Sequence, residues 1–150
     1  MVISPRKSIY NVVVVLTVFA IILFAASLGF QALILSGSSL PGFFCLLLGF
    51  FHIAWYANPL FFLSVAFLLI DRPHWGIGTS FFSLLLALST FSIQEVTADD
   101  TGSRAVMGYG PGFYLWLASI VVVLLTSFLG AVTQSEETAS ISIVSRGESR

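Results

Sequence analysis

Four long apolar blocks, separated by short polar connections, limit what this chain can fold into more than any other feature. They run from Tyr10 to Leu35, Pro41 to Ile70, Gly76 to Ile93 and Gly112 to Val132. A helix needs roughly 20 apolar residues to cross a hydrocarbon layer about 30 Å thick. The first and last blocks meet that length easily, and the third reaches it with help from its flanks. The runs are continuously apolar and lack the alternation of barrel strands, which disfavours a β-barrel. Only 9% of the residues are charged, where a soluble domain carries about 25%. So few charges cannot build a water-facing surface, and hydrocarbon must solvate most of the molecule. The expected fold class is therefore an all-α membrane protein, a four-transmembrane-helix bundle. Its expected parts are a cytoplasmic N-terminus (1–9), a transmembrane domain (10–132) and a flexible, Ser-rich cytoplasmic tail (133–150).

Charge sets the expected orientation. Arg6 and Lys7 precede the first block, Asp71 and Arg72 separate the second from the third, and Arg146 and Arg150 follow the fourth. The connection between the third and fourth blocks holds Glu95, Asp99, Asp100 and one cation, Arg104. With four crossings, every Lys and Arg except Arg104 falls on one side, which the positive-inside rule makes cytoplasmic. Trp75 near the inner surface, and Tyr109, Tyr114 and Trp116 near the outer one, suit the interfacial aromatic belt. Arg6 and Lys7 with "AAS" at 25–27 also resemble a cleavable signal, but the apolar run continues to Leu35. That exceeds the usual h-region of about 7–15 residues and favours a retained anchor.

The second block contains "HIAWYANP", His52 to Pro59. A helix over the whole block, residues 41–70, would reach about 45 Å, too long for one upright crossing. Pro59 lacks an N–H and would clash with the Trp55 carbonyl in a straight helix. Either one tilted helix kinks between Trp55 and Pro59, or Gly42 to Phe51 lies along the outer surface and the crossing starts near Ala54. The second geometry is favoured because amphipathic aromatics prefer the interface. Helical spacing would put His52 and Tyr56 on one face and Asn58 elsewhere. With Gln31, Gln94, Glu95 and Tyr109 they form a candidate outer-face polar cluster. Its plain reading is interhelical hydrogen bonding and interface anchoring, against a ligand or proton site.

Other chemistry finds little footing. Cys45 is the single cysteine, which excludes an internal disulfide and any multi-cysteine metal site. His52 and His74 are expected on opposite sides of the membrane, so no metal site is expected, and no cofactor motif appears. The scattered cations give no nucleic-acid patch. Ser80, Ser83, Ser89 and Ser92 read as packing surfaces, and the spacings Ala25/Gly29, Ser83/Ala87 and Thr126/Gly130 allow close helix approach. No charged residue lies firmly within a block, which argues against an ion-coupled pump.

Two elements, Trp55-x-Asn58-Pro59 with Ala57 between, and Gly110-x-Gly112-Phe113-Tyr114-Leu115-Trp116-x-x-Ser119, carry a resemblance. The chain resembles a family of small bacterial integral membrane proteins without a known activity, with W-x-A-N-P and G-x-G-[YF]-Y-L-W-x-x-S elements. That resemblance implies a bacterial inner-membrane location and transfers no catalytic residue. The expected partners are the lipid bilayer and other membrane proteins or a second copy of the chain. The expected role is a non-enzymatic accessory or interaction component. A small oligomeric channel or transporter is the alternative, and a membrane enzyme using His52 and Glu95 is less favoured.

Overall fold

The computed structural model describes residues 5–99 and 102–148, and side chains within 10–95 and 104–136. Asp100 and Arg150, with the side chains of Arg6, Lys7, Asp99 and Arg146, were part of the charge argument and lie outside the described residues.

Helix α1 (Pro5–Gly29) leads into strand β1 (Gln31–Leu35) and strand β2 (Ser38–Pro41). The two strands are joined at Ser36–Gly37, where Gly37 takes φ 86°, a left-handed conformation that costs glycine no Cβ clash. Helix α2 (Gly42–Leu48) and a 3₁₀ turn (Gly49–Phe51) follow, then a second 3₁₀ turn (Ile53–Tyr56) that enters helix α3 (Ala57–Leu69). Helix α4 (Pro73–Leu88) extends as a 3₁₀ turn to Ser92, before strands β3 (Glu95–Asp99) and β4 (Gly102–Tyr109) and helix α5 (Pro111–Glu148). The helix thus runs on through the segment for which composition suggested a flexible tail.

The expectation of a purely helical chain needs correction. The connections between the first and second and between the third and fourth apolar blocks form one antiparallel sheet of order β2-β1-β4-β3. Leu33 pairs with Tyr109 and Ile34 with Gly108, so the first and third connections are fastened to each other. Strand pairing satisfies backbone N–H and C=O groups that a loop would leave to water.

Three helices are long and apolar enough to cross a membrane: Tyr10–Gly29, Pro73–Ser92 and Pro111–Glu136. A fourth arises if Gly42–Phe51 and Ile53–Leu69 count as one broken span, bent by 112°. The break falls at His52, whose extended backbone (φ −96°, ψ 137°) separates the two 3₁₀ turns. Trp55 fastens it: its indole Nε1 donates to the Leu46 carbonyl in the last turn of α2 at 2.6 Å.

Pro59 is therefore not the hinge. It occupies the first turn of α3, where a missing N–H costs least. The Trp55 carbonyl that Pro59 cannot bond is taken by the Asn58 side-chain amide, Nδ2 to O 2.9 Å. Pro59→Ala is accordingly expected to keep the bend. Spin labels at Cys45 and at a cysteine replacing Leu69 should report an unchanged distance, and a lengthening toward a straight helix would return the hinge to the proline.

Helix α3 ends on Asp71 at φ 57°. The Arg72 N–H bonds the Phe67 carbonyl at 2.8 Å and the Asp71 N–H bonds that of Leu68 at 3.2 Å, the paired bonds of a Schellman cap. Gln134 of α5 donates to both the carbonyl and the carboxylate of Asp71 at 3.0 Å, which ties this turn to the last helix.

In the bundle α1 packs chiefly on α5, and α4 on both α3 and α5. The core holds Phe24, Phe61, Val65, Leu68, Ile120 and Val123, with Ala20, Ala57 and Ala87 between them. The Phe24 and Phe61 rings stack at 4.8 Å. Thr17, Ser27, Ser64, Ser80, Ser83, Ser119, Thr126 and Ser127 are all at most 2% exposed. Large residues such as Val15, Phe19, Phe62, Phe82, Leu125 and Phe128 face outward. Ser83/Ala87 and Thr126/Gly130 are buried at helix contacts as expected, whereas Ala25/Gly29 faces away from the bundle.

Candidate functional site

Where the sheet meets the bundle, a partly open cavity of about 480 Å³ lies between α2, the break after it, strands β1 and β2 and the ends of three other helices. Its walls come from Ser27 and Leu28 at the end of α1, Ala32 and Leu33 of β1, Leu40 of β2, and Leu46 and Leu48 of α2. Thr90 and Ile93 after α4, and Gly112, Phe113 and Trp116 at the start of α5, complete it. The volume falls within the roughly 300–1,000 Å³ range of ligand pockets.

Sequence folds each wall into place for a local reason. Gly110 and Gly112 open α5 at a turn where a side chain would meet the backbone of residues 27–31. The Gly110 N–H bonds the Ala32 carbonyl at 3.0 Å, and the Gly42 N–H bonds that of Phe30 at 2.9 Å. Glycine is required there because only hydrogen fits so close an approach. Across the cavity, Trp116 Nε1 donates to Asn58 Oδ1 at 2.9 Å. Asn58, 8% exposed, thus uses both ends of its amide, one on α5 and one on the Trp55 carbonyl.

Of the residues grouped by sequence into an outer polar cluster, His52 and Asn58 line this cavity. Tyr109 does not line it, but its hydroxyl donates to the carbonyl of the lining Thr90 at 3.0 Å. Burial, with Tyr114 adding to it, pushes the Tyr109 phenol above its ordinary value. Gln31, Tyr56, Gln94 and Glu95 are exposed. His52 and Tyr56 do not share a helical face, because the chain is extended at His52. Glu95, itself exposed, heads β3 and does not line the cavity, whereas His52 does, so the acid and base considered for catalysis are not gathered in it.

Two features escaped the sequence reading. Thr90 is 7% exposed, and its hydroxyl has no hydrogen-bond partner. Most other buried hydroxyls close onto a carbonyl three or four residues back, such as Ser80 to Gly76 at 2.6 Å and Ser127 to Val123 at 2.8 Å. The second is the apolar character of the pocket itself, since its leucines and phenylalanines look in sequence like ordinary span residues. No local pattern announces either. Among the described residues no group of His, Cys, Asp and Glu is placed to hold a metal ion.

No family model matches the chain, and neither the curated proteins nor the solved structures contain a significant match.

Proposed function

We propose that this chain is an integral protein of a bacterial inner membrane that crosses it four times with both termini cytoplasmic. In this reading it serves as a non-enzymatic accessory or interaction component. The observation that carries it is the distribution of side chains: serines and threonines are fully buried beside the apolar core, while many large apolar residues face outward. Water drives the reverse arrangement, whereas lipid tails leave helices to associate through close packing and hydrogen bonds. Apart from Thr90, the interior hydroxyls among the described residues are turned onto backbone carbonyls, and hydroxyls also bond between helices, Ser83 to the Ala57 carbonyl at 2.8 Å and Ser64 to Thr79 at 2.7 Å. Such an interior favours packing over a water-lined path. Helix α2 and its 3₁₀ turn, with Phe43, Leu47, Phe50 and Phe51 exposed, suit the interfacial plane.

Two measurements test this reading. A fluorescent reporter fused after Arg150 should be active in the cytoplasm, and the chain should pellet with membranes. A periplasmic terminus, or a chain left in the supernatant, overturns the topology. Purified in mild detergent, the protein should elute as an assembly larger than one copy. A monomer whose phenotype is lost on His52→Ala or Glu95→Gln, at normal protein level, would point instead to an enzyme.

A further inference from the structure

We propose that the cavity beneath α2 holds one acyl chain of a membrane lipid, with the lipid's ester carbonyls turned toward His52 and Thr90. The inference rests on the membrane reading above and adds a specific ligand to it.

The lining argues for a chain. Leu28, Leu33, Leu40, Leu46 and Ile93 come from different elements and make an irregular aliphatic wall. Phe113 and Trp116 supply flat faces beside it. Water in a space of this kind gives up hydrogen bonds to apolar walls, so an apolar occupant is favoured over solvent. A flexible acyl chain adapts to such a shape.

The polar atoms argue for an ester end. The His52 imidazole is half-buried, lines the cavity and has no hydrogen bond to another described residue. The Thr90 hydroxyl is buried without a partner. Buried hydroxyls in native proteins are nearly always satisfied; the Thr90 oxygen is enclosed, but the residue lines the cavity, so a rotation about its Cα–Cβ bond would bring the hydroxyl to an acceptor held there. An N–H and an O–H are both donors, and an ester carbonyl is an acceptor for either.

Position argues for a lipid. The cavity lies at the sheet end of the bundle, roofed by a segment set at 112° to the helix that follows. With α3 crossing the membrane, α2 lies near the headgroup level, where acyl chains begin and their esters sit.

Trp75 is exposed near the start of α4, while Trp55 and Trp116 both line the cavity. Trp75→Phe leaves those two as the only indoles, since the chain has 3 tryptophans. The purified variant is titrated in maltoside micelles with phosphatidylcholine brominated on one acyl chain. Saturable quenching is expected near one lipid per chain, reversed by unlabelled phosphatidylcholine. His52→Ala and Thr90→Val should each weaken binding by about three- to tenfold, as for one lost hydrogen bond. Thr90→Val should do so without lowering the melting temperature, because it removes an unsatisfied hydroxyl. Quenching that rises without saturation is mere micelle partitioning and overturns the proposal. Displacement by decylubiquinone but not by phosphatidylcholine overturns the acyl-lipid assignment, and unchanged affinity in both variants overturns the polar end. A chain in the soluble fraction sinks the membrane reading as well, whereas a correctly inserted chain without saturable quenching sinks this proposal alone.

Discussion

Gly112→Ala is expected to destabilise the protein by about 3 kcal/mol, the upper part of the range for forced overpacking. A Cβ at this position would lie 2.7 Å from the Phe30 carbonyl oxygen, 2.8 Å from that of Ser27 and 2.9 Å from that of Gln31. All three are backbone atoms, so no side chain can swing aside to make room. Gly42 approaches the Ser27 carbonyl and Gly110 the Gln31 carbonyl from other directions. Three glycines thus surround the junction where α1 becomes β1, and the sheet is held to the bundle through it. Gly78→Ala is the control, because a Cβ there meets nothing within 4 Å. It should be neutral, or stabilising by up to about 1 kcal/mol through helix propensity. Thermal unfolding in detergent separates the two. Equal melting temperatures would mean that the junction is not closely packed.

Asn58→Leu is expected to cost about 2–3 kcal/mol, although the side chains are similar in size. The change strands the Trp116 indole N–H and takes from the Trp55 carbonyl its side-chain donor, leaving it the Ala57 backbone N–H. Each buried group left unsatisfied costs about 1–3 kcal/mol, more than the net worth of the bond it lost. Adding Trp116→Phe should cost less in the Asn58→Leu background than in the native chain, because one stranded donor is then removed. A double-mutant cycle in detergent measures that coupling. Additive costs would show that Asn58 and Trp116 do not act together.

These two changes mark what could be read locally and what could not. The corner around His52–Pro59 was legible, since thirty apolar residues overshoot one crossing and a proline must sit near a helix start. Its cause was not legible there. The break occurs earlier, at His52, and is fixed by an indole reaching back to Leu46 and an amide reaching forward to α5. Ser80 and Ser83 of the third block were legible as packing positions, whereas Ser92, read the same way, is exposed. Ser80 bonds its own helix at Gly76, but the Ala57 carbonyl that Ser83 uses lies on another helix and was not legible. Nor was the orphan at Thr90, because whether a hydroxyl finds a partner depends on the turn it ends up in.

The sheet shows the same division. "LILSGSSL" and "VTADDTGSRAV" contain turn residues between β-formers, but each hairpin alone is marginal. The central pairing joins Leu33 to Tyr109, partners distant in sequence and brought together only by the helices between them.

By itself the sequence determined that charge is scarce and that three or four stretches are long and apolar enough to become crossing helices. Those are local properties, fixed by side-chain transfer energy and helix rise. Tertiary structure alone decided the fastening of the first and third connections into a sheet, the Asn58 clamp and the apolar cavity with its unpaired hydroxyl. Each of these is a contact between residues remote in the chain, where close approach and hydrogen-bond geometry, rather than composition, determine the outcome.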